Sequence, residues 1–461
     1  MPSITFTNLT RAIEIGANSY ALEIGDRRLV LDSGLHPKLD GEPALPDFRL
    51  IEDDSVEAIV LSHAHHDHLG SLPVLMRRQP RAQVFMTEAT RQLSDIMLHN
   101  SVNVMLRKRE EGIPEYPLFT HREADVSAKR WRPIPLHQRF DLSGERLRPD
   151  EAAEISLEFF DAGHILGSVG TLIRAGDRTI FYTGDVNFDN QTLMQAARFP
   201  EEPVDVLIME TTRGDHETAA DFSRAAEEAR LAAAIREAFA RGGGVMMPLF
   251  ALGKTQELLA MFFEFRSRGW LKQETPIYIG GLGAKLTEVH DKLAHHAPRQ
   301  RHNLQLLDAV APFVAAGQQA HSLPFKPGRI YALSSGMMTE KTLSNSFARH
   351  MLSGDKNLLI FVGYADAESP AGRIRAAQPG ELVQLSPEYA PQPLNCAIER
   401  FHFSGHATRE SLRTYVNKVR PKKVVLVHGD PGSVEWFRES LAADLPASEI
   451  IAPLPGAPIA L

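Results

Sequence analysis

Four of the chain's 19 histidines lie within six residues, in the run Ser62-His63-Ala64-His65-His66-Asp67-His68-Leu69-Gly70. In an extended segment alternate side chains face the same way, so His63 and His65 converge on one point. Asp67 and His68, where the chain turns into the next helix, can serve a second point nearby. Imidazole nitrogens and a carboxylate form a donor set suited to zinc, at distances of about 2.0–2.2 Å. His66 would face the other way. The spacing H-x-H-x-D-H predicts a metal site at the end of a strand.

The elements that must position this run read as follows. Segments 19–24 and 28–31 are strand-like, with Gly25-Asp26 as a hairpin turn, and Asp32 to Gly34 closes the second. An apolar run, 56–61, leads into the histidines, and 69–78 reads as a helix. A strand at 83–86 precedes a long helix, 88–109, and the Pro-rich, charged stretch 110–150 reads as irregular. Strand-like runs resume at 155–160, 169–173, 179–182 and 204–209. After about Gly214 the pattern changes. Helix-like segments 219–241, 253–270, 284–295 and 340–351 alternate with short apolar strands at 244–247, 276–279, 329–333 and 358–361. That alternation predicts a parallel, doubly wound α/β unit. It stops at about 391, beyond which strands at 398–403 and 423–427 follow the manner of the N-terminal part. The expected domains are therefore 1–213 with 391–461, and an insert at 214–390.

Length and composition set the outer bounds. At roughly 150 residues per domain, 461 residues predict about three structural units. A net charge of −8, from 50 Lys+Arg against 58 Asp+Glu, argues against coating nucleic acid through bulk positive charge. It leaves room for a local grip, because bound cations add charge that the formula omits. The single cysteine, Cys396, excludes an internal disulfide framework and a cysteine zinc knuckle. No run of about 18 apolar residues predicts a membrane span. With no basic, apolar leader at the start, the expected compartment is the cytoplasm.

The H-x-H-x-D-H loop resembles the signature of the metallo-β-lactamase superfamily, whose fold is an αββα sandwich with metals at one sheet edge. The resemblance implies further ligands. They match His164 in Asp161-Ala162-Gly163-His164, Asp185 in Tyr182-Thr183-Gly184-Asp185, and His428 in Val427-His428-Gly429. Two zinc ions per chain are then expected. One would take His63, His65 and His164, the other Asp67, His68 and His428, with Asp185 bridging them.

The long gap from Asp185 to His428 leaves room for an insert that resembles the β-CASP domain of nucleic-acid processing nucleases. Val206-Leu207-Ile208-Met209-Glu210 looks like that family's motif A, a strand ending in an acidic residue. The run Pro248-Leu249-Phe250-Ala251-Leu252-Gly253-Lys254 is similar to its Pro-x-Phe-Ala-x-Gly segment, with Lys254 where Arg is usual. Phe403-Ser404-Gly405-His406 resembles motif B, and His428 doubles as motif C, where histidine implies action on RNA rather than DNA. Ser334-Ser335-Gly336-Met337 matches the usual loop, whereas segment 363–373 matches only at its ends and is more acidic at its centre. Gly280-Gly281 stands where Ser-Pro is common, and Thr408 replaces a frequent aspartate.

The resemblance implies a zinc-dependent ribonuclease working by a two-metal hydroxide mechanism, since two divalent cations about 3.5–4 Å apart suit phosphodiester hydrolysis. Asp67 and Asp185 would fix the hydroxide, and His406, positioned by Glu210, would be the general acid. Ser334, Ser335 and Gly336 could offer hydroxyls and backbone N–H groups to a substrate phosphate, with Lys254 and Ser404 as further candidates. Single-stranded RNA is expected in the cleft between the two domains, with no membrane partner. A partner chain or a homodimer would supply added RNA affinity. A small-molecule hydrolase of the same fold, a DNA-directed β-CASP nuclease and a non-catalytic scaffold are the alternatives. Endonuclease and 5′-exonuclease action are equally compatible with these residues.

Overall fold

The computed structural model describes residues 3–363 and 365–461; position 364, inside the acidic segment 363–373, lies outside them. The chain divides into two compact units. The first comprises Met1–Asn190, Gln195–Thr218 and His406–Leu461, the second Gln191–Met194 and Ala219–Gly405. In chain order the first unit supplies β1 (Ile4–Asn8), β2 (Tyr20–Ile24), β3 (Arg27–Leu31), β4 (Ala58–Val60), β5 (Gln83–Met86) and β6 (Trp131–Pro133). It continues with β7 (Ile155–Asp161), β8 (Val169–Ala175), β9 (Arg178–Tyr182) and β10 (Val206–Glu210). The second unit supplies β11 (Val245–Pro248), β12 (Ile277–Gly280), β13 (Phe313–Ala315), β14 (Ile330–Leu333) and β15 (Leu358–Phe361). It ends with β16 (Leu382–Val383), β17 (Gln392–Pro393) and β18 (Ala397–Arg400). The first unit resumes with β19 (Lys423–Val427), β20 (Glu449–Ile451) and β21 (Pro458–Ala460).

Two sheets build the first unit, in the orders β21-β1-β2-β3-β4-β5-β6 and β20-β19-β10-β9-β8-β7. Their facing sides share one core, in which Phe6, Tyr20 and Leu31 meet Leu157, Ile180, Tyr182 and Ile208. Strand alternation sends the neighbouring residues the other way. Leu172, Phe181, Leu207 and Met209 pack under helices Arg409–Val419 and Pro431–Asp444. This is the expected αββα arrangement. The stretch read as irregular, 110–150, holds helix His121–Ala128 and β6. That short helix is fixed by a capping box, Thr120 with Glu123, rather than by an apolar stripe visible in the sequence.

The second unit's main sheet runs β13-β12-β14-β11-β15-β18, and every pair in it is parallel. Parallel neighbours need crossover connections, which the helices between these strands provide. The boundaries differ from those expected. β18 pairs with β15, which carries 391–405 into the second unit. A strand of only four residues, Ala397-Ile398-Glu399-Arg400, does not announce which sheet it will join, so its place is not readable from its residues. Gln191–Met194 also belongs to this unit. Buried Glu257 explains it, accepting the backbone N–H groups of Thr192 at 2.6 Å and Leu193 at 2.9 Å while pairing with Arg224.

Candidate metal centre

Strands β7, β9, β10 and β19 run in one direction, so their C-terminal ends lie along one edge of their sheet. His164 follows β7, Asp185 follows β9, Glu210 ends β10 and His428 follows β19. The other sheet contributes His63 and His65 just past β4, then Asp67 and His68 in the helical turn His66–Leu69. His66 turns away, its Nε2 meeting Ser101 Oγ at 2.9 Å. Two glycines permit this convergence. Gly184 sits at φ 54°, before Asp185. A Cβ on Gly34 would stand 1.8 Å from the Asp67 carbonyl oxygen.

Three groups of candidate ligands result. In the first, His65 Nδ1 lies 3.1 Å from both His63 Nε2 and His164 Nε2. Asp185 Oδ2 lies 3.5 Å from the former and 3.6 Å from the latter. Tetrahedral zinc with bonds of about 2.0–2.1 Å places its ligand atoms about 3.3–3.4 Å apart. In the second group, Asp67 Oδ2 lies 3.4 Å from His428 Nε2 and 3.9 Å from His68 Nε2. Asp185 turns its other oxygen to this side, with Oδ1 3.3 Å from His68 Nε2 and 3.4 Å from His428 Nδ1. The third group joins Asp185, Glu210 and His406. Here His406 Nδ1 lies 3.0 Å from Glu210 Oε2, and Oε1 also accepts the Val186 N–H at 2.7 Å.

Hydrogen bonds behind the ligands decide which nitrogens face the centre. Asp32, fully buried at φ 58°, accepts from Ser62 N, Ser62 Oγ and His68 Nδ1, each at 2.7 Å, and from the Tyr182 hydroxyl at 2.5 Å. His68 Nδ1 thus carries its proton toward Asp32, and Nε2 presents a lone pair to the site. Ser62 has given its only hydrogen to Asp32, so at 3.0 Å it accepts from His63 Nδ1, which frees His63 Nε2 as a donor of its lone pair. From the sequence Asp32 reads only as a strand end. Its one signal is an acidic residue closing a buried strand, too common to single out.

The residues fit a bound cation. Asp185 is 2% exposed, and among the described residues no hydrogen-bond donor meets its buried Oδ1. An ionised carboxylate does not stay orphaned inside a protein unless some charge meets it. Burial pushes the pKa of His63 and His65 down, favouring the neutral, metal-binding form. For Asp67 burial acts upward, but His68 and His428 hold its carboxyl well below the usual range. His406 differs. Burial works against its proton, yet Glu210 and Asp185 raise its pKa above the ordinary histidine value.

Along the chain, residues 13–236 match the metallo-beta-lactamase superfamily, 255–374 the Beta-Casp domain, and 391–453 a Zn-dependent metallo-hydrolase RNA specificity domain. The chain belongs to the metallo-β-lactamase superfamily, in its β-CASP branch. It is 30% identical over 440 residues to cleavage and polyadenylation specificity factor 73 of Drosophila melanogaster, covering 94% of this chain and 61% of that protein. To the endoribonuclease ysh1 of Schizosaccharomyces pombe it is 26% identical, covering 95% of this chain and 56% of the relative. To the transcription termination factor FttA of Methanothermobacter thermautotrophicus it is 29% identical, covering 90% and 65%. The chain thus spans between 56% and 65% of these relatives' length. A solved protein of unknown function from Enterococcus faecalis shares the fold, with a TM-score of 0.57, 16% identity and full coverage of both chains.

Within this family frame the remaining candidates fall in the second unit. Lys254, Ser334, Ser335, Gly336 and Ser404 all belong to it. Lys254 Nζ donates to the Phe403 carbonyl, and Ser335 Oγ lies 3.1 Å from Thr339 Oγ1. Thr408, the departure from the family's aspartate, caps helix Arg409–Val419, its Oγ1 accepting from Ser411 N at 3.1 Å. Threonine does there the capping that an aspartate would do. Among the described residues no helix is long and apolar enough to cross a membrane.

Proposed function

We propose that this chain is a ribonuclease that hydrolyses RNA phosphodiester bonds with two zinc ions held by seven side chains. One observation carries the reading: Asp185 turns Oδ2 to His63 and His164 and Oδ1 to His68 and His428, as a bridging ligand would. His63, His65 and His164 would hold one ion and Asp67, His68 and His428 the other. When bound, two such ions supply charge to neutralise an attacked phosphate and lower the pKa of a water to near 7.

The protein's own residues do the rest. Asp32 fixes the tautomer of His68 and, through Ser62, that of His63. His406 gives a proton from Nε2 to the leaving oxygen while Nδ1–H remains bonded to Glu210. Glu210 is itself anchored by the Val186 N–H, so it orients the imidazole and is not displaced by it. Asp67 and Asp185 would serve as carboxylate ligands, fixing the ions whose charge would activate the attacking water. Ser334, Ser335, Gly336, Ser404 and Lys254 are the proposed contacts for substrate phosphates, Lys254 by exchanging its bond to Phe403. The relatives named for RNA cleavage and the match to an RNA specificity domain support RNA as the substrate. A cytoplasmic setting, in which Cys396 stays reduced, fits this reading.

Incubation with 5′-labelled linear RNA and with circular RNA tests it. Zinc-dependent cleavage of either supports the reading, and opening of the circle assigns endonuclease action. Turnover of a thioester or lactam with both RNAs left intact would overturn it.

A further inference from the structure

Three residues beyond Glu210 the chain makes a tight turn, Gly214 N donating to Thr211 O at 3.0 Å. A Cβ on Gly214 would meet the Ser433 carbonyl oxygen at 2.2 Å, so this turn is pressed against the start of helix Pro431–Asp444. Arg213 occupies its outer corner, half-buried. Among the described residues its guanidinium meets only neutral acceptors, the His406 carbonyl at 3.4 Å and Thr218 Oγ1 at 3.1 Å. Among the described residues no carboxylate lies within ion-pair distance of it. Burial lowers its pKa, and the charges of Glu210, Glu410 and Asp189 act the other way from farther off.

Arginines with structural tasks in this chain look different. Arg299, fully buried, holds the His290 and Leu304 carbonyls at 2.9 Å each. Arg266 holds those of Val310 and Thr275 at 2.7 and 2.8 Å. Arg224 and Arg409 each pair with carboxylates. A guanidinium has five donors in a rigid fork suited to a phosphate. Arg213 spends two of them on long or ordinary bonds. It does so beside the Asp185–Glu210–His406 group, where three acidic side chains (with Asp67) would otherwise face a polyanion.

We propose that Arg213 is a substrate-phosphate ligand, its fork taking the non-bridging oxygens of the RNA phosphate next to the scissile one, on the leaving-group side. The side follows from its contact with His406, the residue read as acid to the leaving oxygen. The inference rests on the ribonuclease reading and deepens it.

The test reads binding separately from cleavage. Metal-loaded His406→Ala protein, slow to cleave, is titrated with fluorescent single-stranded RNA with and without Arg213→Gln. A charge-assisted bond to phosphate predicts a Kd raised about tenfold or more. The slope of log K against log salt should fall by about 0.7, the loss of one phosphate contact on a single strand. Arg213→Lys should keep the slope and recover part of the affinity, because it keeps the charge and loses the fork. A neutral methylphosphonate, scanned along the RNA, should cost affinity at one position with Arg213 present and cost little there with Arg213→Gln. Should Arg213→Gln fail to fold, the lysine variant and the methylphosphonate scan carry the same comparison. Unchanged Kd and slope in Arg213→Gln, or a methylphosphonate cost that does not depend on Arg213, would overturn the proposal. RNA bound but never cleaved would sink the ribonuclease reading while leaving the Arg213 contact measured. A protein that binds no RNA would sink both.

Discussion

The trio His63, His65 and His164 and the pair His406 and Glu210 use similar side chains a few ångströms apart, wired in opposite ways. In the trio, imidazole nitrogens face one another at 3.1 Å, and the His63 proton is drawn outward by Ser62, which Asp32 holds in turn. In the pair, a carboxylate anchored by a backbone N–H takes the imidazole proton itself. The first wiring presents lone pairs and awaits a cation. The second holds a proton and raises its affinity. Residue type alone does not separate a ligand from an acid. The hydrogen bond on the far nitrogen does.

Mutations at the two places should separate accordingly. Asp185→Ala has the largest expected effect, because Asp185 touches both ligand groups: at least one zinc and all detectable RNA cleavage should go together, measured by elemental analysis and RNA turnover. His406→Ala should keep both ions and the fold, yet cleave RNA about 10²–10⁴-fold more slowly. Its loss should shrink with a nitrophenyl phosphodiester, whose leaving group needs little protonation, and Glu210→Gln should give a weaker version of the same pattern. Loss of metal in His406→Ala would erase the distinction. Asp32→Ala should fall next, weakening metal affinity about 10–100-fold by releasing His68 and Ser62, as read by competition with a chelating dye. The smallest effect belongs to Thr408→Ala, which removes a helix cap behind His406: about 1 kcal/mol of stability in urea titration, with metal content unchanged.

The site was legible where its residues are consecutive. His63, His65, Asp67 and His68 announce themselves because one short run, the extended end of a strand and the helical turn after it, places all four. His164, Asp185 and His428 are single residues after separate strands, and only the resemblance to a family joined them. Asp32 and Arg213 carry no local pattern, because their significance lies in what the fold brings against them. The fold shows the same division. The long helix Glu88–Glu110 and strands β5 and β10 fall close to the expected segments 88–109, 83–86 and 204–209. The side chosen by β18 and the clamp of Glu257 on Thr192 and Leu193 depend on tertiary pairing. No window of sequence contains that information.

Everything proposed for this site depends most directly on Asp185 serving two ions at once. Elemental analysis of the purified, unmutated protein is the measurement that reaches this claim, combined with titration of the metal-depleted protein against RNA cleavage. The expected result is about two zinc ions per chain, with cleavage returning only as the second is restored. One ion per chain supporting full cleavage, or none, would contradict it.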